Sequence, residues 1–97
     1  MITLVNVLTV DPANLEPIVE LLRANTEEVI RTLDGWLSTE LIAAGDGTRI
    51  VIYSRWRDVE AVNAMRRDAR MLAYFPRIAA LATFDSIVGT VAHAVAA

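Results

Sequence analysis

Apolar and polar positions alternate from the first residues of the chain. Ile2, Leu4, Asn6, Leu8 and Val10 share one face of an extended segment, and Thr3, Val5, Val7 and Thr9 share the other. The segment is rich in β-branched residues and apolar on both faces, which predicts a strand over residues 2–10. Asp11-Pro12-Ala13-Asn14 reads as a turn into a helix capped by Asn14, with Pro17 in the first turn. A cap at Asp11 would instead bury Pro17 in the helix and cost a hydrogen bond. The period then changes to 3.6: Leu15, Ile18, Leu22, Val29, Ile30 and Leu33 form one stripe, predicting a helix to about Leu33, stopped by Asp34-Gly35.

Strand alternation returns over Trp36 to Ala43, Ala44-Gly45-Asp46-Gly47 forms a hairpin turn, and Thr48 to Trp56 is the third strand. Asp58 caps a short helix with Val59, Val62 and Met65 inward. A second short helix, about Ala69 to Ala82, turns Leu72, Phe75, Ile78 and Leu81 inward, and residues 83–95 return as a last strand. The order β-α-β-β-α-β, with the second helix broken around Asp68, is the ferredoxin-like α+β pattern: an antiparallel sheet with helices on one face. The chain reads as one domain, residues 1–97, without internal repeats.

Composition changes this picture in one respect. In a 97-residue chain, 55% hydrophobic residues and a mean hydropathy of +0.41 exceed what one small domain hides unaided. With strands apolar on both faces, the sheet of a second copy is the expected cover, so a homodimer is predicted. No apolar run approaches the ~20 residues of a spanning helix, and Met1-Ile2-Thr3-Leu4 carries no basic export region, so a cytoplasmic protein without membrane contact is expected. The net charge is −3 and all nine basic residues are arginine. The run Arg66, Arg67, Arg70 reads as a solvated helix face, and an acidic domain is a poor nucleic-acid ligand. There are no cysteines, and no His/Asp/Glu cluster has metal-ligand spacing.

Polar residues at apolar positions are the candidates for chemistry. Asn6 lies between Leu4 and Leu8, where an amide must either bond backbone at a strand irregularity or line a pocket. Asn25 continues the stripe Ile18, Leu22, Val29 at i+7 from Ile18, so it faces the sheet. Trp56 shares a face with Ile50, Ile52 and Ser54; it either fills the core or offers its indole N–H to a substrate oxygen. Met65, Met71, Tyr74 and Phe75 are ordinary core or a wall for a flat aromatic ligand. Arg70 and Arg77 are solvated or meet an anionic group at a pocket mouth. His93, the only histidine, stands near the end of the chain with no carboxylate beside it in sequence.

Val5-Asn6-Val7-Leu8-Thr9-Val10, Asp34-Gly35-Trp36-Leu37-Ser38, Asp46-Gly47-Thr48 and Tyr53-Ser54-Arg55-Trp56 together resemble the antibiotic biosynthesis monooxygenase domain, from Thr3 to about Val91. The resemblance implies a dimeric α+β barrel with a pocket in each subunit between sheet and helices. It further implies oxidation of an anthrone-type polycyclic aromatic by O₂ with no metal or flavin. Asn6 and Trp56 fall on the asparagine and tryptophan of the family pattern and are the implied catalytic pair. Asn25, Met65, Tyr74, Phe75 and Arg70 are the expected substrate-binding set. Three positions depart from the pattern: Ile52 replaces an asparagine, Ile42 a histidine, and Val62 an aromatic residue. Those departures keep two other outcomes open on the same fold, a polyketide cyclase or isomerase and a non-catalytic small-molecule-binding dimer.

Overall fold

A computed structural model describes all residues, 1–97, and contains the expected order of elements. They are β1 (Ile2–Val10), α1 (Leu15–Glu28), β2 (Trp36–Ala43), β3 (Arg49–Trp56), α2 (Val59–Arg67), α3 (Ala69–Ala79) and β4 (Ala82–Gly89). The strands form one antiparallel sheet in the order β2-β3-β1-β4, the ferredoxin-like topology.

Several boundaries differ from the sequence expectation, each for a local reason. The Asp11 side chain, not Asn14, accepts a backbone N–H, that of Ala13 at 2.9 Å, and it opens a 3₁₀ turn at Pro12–Asn14 that leads into α1. Pro17 is still in the first turn of α1. The α1 helix ends at Glu28 instead of Leu33, because β-branched Val29 and Ile30 pass into a 3₁₀ turn. Thr32 Oγ1 closes that turn on the Val29 carbonyl at 2.6 Å. Gly35, at φ +84°, makes the reversal into β2, and a Cβ there would lie 2.5 Å from Ala61 Cβ.

Val59 points outward, 42% exposed, while Ala61, Val62 and Met65 are buried. Asp68 ends α2 and restarts the helix by accepting the Arg70 and Met71 N–H groups, which sets a new phase. The buried stripe of α3 is therefore Met71, half-buried Tyr74 and Phe75, and Ile78; the expected inward Leu72 is 54% exposed. The helix stops at Ala79 instead of Ala82, because Ala82 pairs with Val10 as the first rung of β4. Likewise β4 ends at Gly89 opposite Thr3, where its partner runs out, so residues 90–95 are not strand.

The sheet face that carries the helices holds two apolar clusters, with half-buried Tyr74 packed against both. One gathers Leu4, Val29, Trp56, Ala61, Val62, Met65 and Met71. The other gathers Leu8, Val10, Ile18, Leu22, Ile50, Ile78 and Ala82. Burial of each large aliphatic side chain contributes about 1.5–3 kcal/mol. Between the clusters lies one cross-strand row, Ser86–Asn6–Ile52–Leu41, in which Asn6 is half-buried. The register through it is continuous, so Asn6 does not sit at a strand irregularity.

No helix covers the opposite sheet face. It presents Val5, Val7, Val51 and Tyr53 at its centre, with Ile42 and Ile87 at its flanks, 49% and 64% exposed. Arg55 lies on this face, its Cζ 5.5 Å from the Tyr53 ring centroid and Nη2 donating to the Tyr53 hydroxyl at 3.2 Å. Arg55 Nε is buried and has no hydrogen-bond partner.

Candidate active site

The interruption in the core is a cavity. It has a volume of about 600 Å³, within the range of small-molecule sites, and 12 of its 18 lining residues are hydrophobic. Its floor is the row of Asn6 and Ile52 with Leu4, Leu8, Ser54 and Trp56 on either side; Asn25 of α1 and Met71, Phe75 and Ile78 of α3 cover it. Arg66, Leu72, Phe84 and Ser86 also line it but are exposed, so the opening lies between the α2–α3 break and β4.

Two amides meet this space in different states. The Asn25 side chain is 2% exposed, and its Nδ2 donates to the Met71 sulfur at 3.2 Å. A thioether is a weak acceptor, so this contact returns only part of the cost of burying an amide. The Asn6 amide lines the cavity and is held by none of the side-chain hydrogen bonds of the fold. Both are placed to bond a polar atom of a guest.

Trp56 is 1% exposed and forms part of the wall. Its indole N–H already donates to Ser54 Oγ at 3.1 Å, and Ser54 donates in turn to the Leu4 carbonyl at 3.3 Å. A substrate oxygen would therefore have to compete with Ser54 for that donor, which the sequence did not show. Across from it, Trp36 donates to Thr39 Oγ1 at 2.8 Å beside a bulge at Trp36/Ser38.

Of the residues expected at the site, Asn6, Asn25, Trp56, Met65 and Phe75 line the cavity, with Met71. Tyr74 and Arg70 do not. Tyr74 lies on the buried stripe of α3, but its hydroxyl donates to Glu28 Oε2 at 2.8 Å, and that carboxylate raises the phenol's pKa above its ordinary value. Arg77 covers the Tyr74 ring at 5.0 Å. Arg70 turns back to Asp68 at 3.4 Å. His93 is exposed in the segment after β4, away from the cavity.

Sequence reasoning missed Thr39, Ser86 and Arg66 as lining residues. Strand alternation from Thr39 to Leu41 was available as a signal, but Arg66 sits in a run of arginines that reads as solvent-facing. Arg66 is the one formally charged residue of the lining, which contains no carboxylate and no histidine. No group of three or more histidine, cysteine, aspartate or glutamate side chains comes together to hold a metal ion. No helix is long and apolar enough to cross a membrane.

The topology and the cavity define a ferredoxin-like α+β domain that encloses an apolar site of small-molecule size. Residues 1–77 match the model of the antibiotic biosynthesis monooxygenase family, and the chain belongs to that family. It is 33% identical over 75 residues to tetracenomycin-F1 monooxygenase of Streptomyces glaucescens, spanning 77% of this chain and 67% of that protein. Among solved structures, a monooxygenase of Streptomyces coelicolor in complex with nanaomycin D superposes with a TM-score of 0.89 at 26% identity, over 99% of this chain and 91% of that one. SnoaB, a cofactor-independent oxygenase of Streptomyces nogalater, superposes with a TM-score of 0.81 at 23% identity, over 96% and 94% of the two chains, a likeness of fold.

Proposed function

We propose that this protein is a cofactor-independent monooxygenase that oxidises an electron-rich, anthrone-type polycyclic aromatic with O₂. The observation that carries the reading is the cavity itself: apolar walls, two amides directed inward, and no side chain able to act as a general base. Such a site suits a substrate acidic enough to lose its own proton. In the reaction, the deprotonated methylene carbon of the anthrone bonds to O₂ and gives a hydroperoxide. Loss of water then leaves one oxygen as the quinone carbonyl and carries the other away with the two methylene hydrogens. The substrate supplies all the electrons. Asn6 and Asn25 hold the substrate oxygen, whose negative charge grows on deprotonation, within largely apolar walls. Trp56, fixed by Ser54, is a flat wall, and Met65, Met71 and Phe75 adapt to the ring system.

The protein acts as a homodimer in this reading. The uncovered apolar sheet face and the unpartnered Arg55 Nε on it support a second copy as the cover. Sedimentation is expected to give a dimer, and Val7→Asp, which places a charge at the centre of that face, a monomer; a monomeric wild type would sink this part.

Oxygen uptake is measured with metal-free, flavin-free protein and anthrone, corrected for spontaneous oxidation. One O₂ is consumed per quinone formed, and Asn6→Ala lowers kcat/KM by about a hundredfold. A second reading has its own support: Ile52 pairs with Asn6 in the cavity floor, so this site has one amide fewer than the family pattern. That favours a cyclase or isomerase, which would form product in the absence of O₂. Binding of anthrone without protein-dependent uptake would overturn the oxygenase reading.

A further inference from the structure

One side-chain hydrogen bond spans the opening of the cavity. Arg66, near the end of α2, donates from Nη2 to Ser86 Oγ on β4 at 3.2 Å. Arg66, like Arg31, Arg49, Arg55, Arg67 and Arg77, has no ion-pair partner, and of these it alone lines the cavity. A neutral hydroxyl satisfies one guanidinium N–H and leaves the charge uncompensated. Ser86 shares the cross-strand row of Asn6, so this cation stands at the outer end of the row that forms the cavity floor.

We propose that Arg66 is a specificity-determining residue, selecting an aromatic guest that carries an oxyanion at the end facing solvent. The inference rests on the reading of this cavity as the substrate site and adds the charge of the substrate to it. A polycycle enters with its apolar rings between Trp56 and Phe75. A second oxygen group, a carboxylate distinct from the oxygen that Asn6 and Asn25 hold, displaces Ser86 from Arg66 and gains a charge-assisted bond at the rim. A cationic guest meets a like charge and no carboxylate, and is rejected.

Two fluorescent probes test this without turnover. 8-Anilino-1-naphthalenesulfonate and N-phenyl-1-naphthylamine share one ring skeleton and differ by the sulfonate. Arg66→Gln is expected to weaken the sulfonate probe by about tenfold or more, and to leave the neutral probe within about twofold, the ordinary effect of a surface change. Arg66→Lys restores part of the loss. Ser86→Ala, which keeps the charge, preserves the preference, and Arg70→Gln, outside the cavity, changes neither probe. Equal losses of both probes in Arg66→Gln, an unchanged sulfonate affinity, or failure of both probes to bind the wild type would each overturn the proposal. Probe discrimination without O₂ uptake would remove the oxygenase chemistry and leave the role of Arg66 standing. Uptake without discrimination would do the reverse.

Discussion

Replacing Asn25 by leucine separates what the fold needs from what the site needs. The amide is 2% exposed and its Nδ2 meets only the Met71 sulfur, at 3.2 Å. Burying an amide without a good partner costs about 1–3 kcal/mol, and a weak sulfur acceptor offsets only a fraction of that. Leucine has a similar shape, carries no polar atom, and would sit on the Ile18–Leu22–Val29 stripe that is already apolar. Any small excess of volume meets a cavity instead of close-packed atoms. Asn25→Leu should therefore be more stable than the wild type by about 1 kcal/mol, a rise in Tm of about 4–8 °C for a domain of this size. Urea unfolding at one fixed protein concentration would measure it, with an unchanged slope showing that the same surface is exposed. The same variant should lose affinity for a polar aromatic guest, a trade between stability and function. A variant less stable than the wild type by more than about 1 kcal/mol would refute the reasoning, because the amide would then be well paired in the folded protein.

Two further perturbations test other parts of the structure. Gly35→Ala places a Cβ at φ +84° and 2.5 Å from Ala61 Cβ; a loss of about 2 kcal/mol or more is expected in the same unfolding assay, and a neutral result would mean that the turn is shaped differently. Arg57 bridges Asp34 and Asp58 at 3.1 Å each, and Asp58 also accepts the Ala61 N–H at 2.8 Å. Arg57 lowers the Asp34 carboxyl below the ordinary 3.8, and the Ala61 N–H, then Arg57, does so for Asp58. On acidification the unfolded chain takes up these protons first, so the stability the pair contributes is full above about pH 4 and is lost as pH falls below it. Asp58→Asn keeps a capping oxygen but does not titrate, so its deficit relative to the wild type should shrink between about pH 6 and pH 2.5; a deficit constant with pH would remove the ion pair from the account.

The strands were legible because alternation and glycine turns are local signals. Trp36–Ala43 has the expected limits, and β3 begins at Arg49, one residue after the expected Thr48. Helix ends were less so. The α1 helix yields at Val29-Ile30 to a turn that depends on Thr32 and Gly35 together, and α3 takes its phase from Asp68, a residue that both ends one helix and begins the next. A phase set by a cap rotates every later side chain, which is why Asn25 is buried as its periodicity predicts while Leu72, expected inward on α3, is exposed. Arg66 was hidden for a different reason. It is exposed like Arg67 and Arg70, and only the position of β4 across the gap gives it Ser86 as a partner.

The apolar core is two clusters joined through Tyr74, which packs against both, and the polar positions of the row between them, residues 6 and 86, lie outside either cluster. Leu4 and Trp56 belong to one cluster and Leu8 and Ile50 to the other; Asn6 and Ser86 belong to neither, whereas Ile52 packs against the second. At residues 6 and 86, then, a side chain can change its chemistry while both clusters keep their members. Ile52, isoleucine in a row that also holds Asn6 and Ser86, shows the latitude this row allows, and a guest seated there would act as a third packing layer joining the two halves.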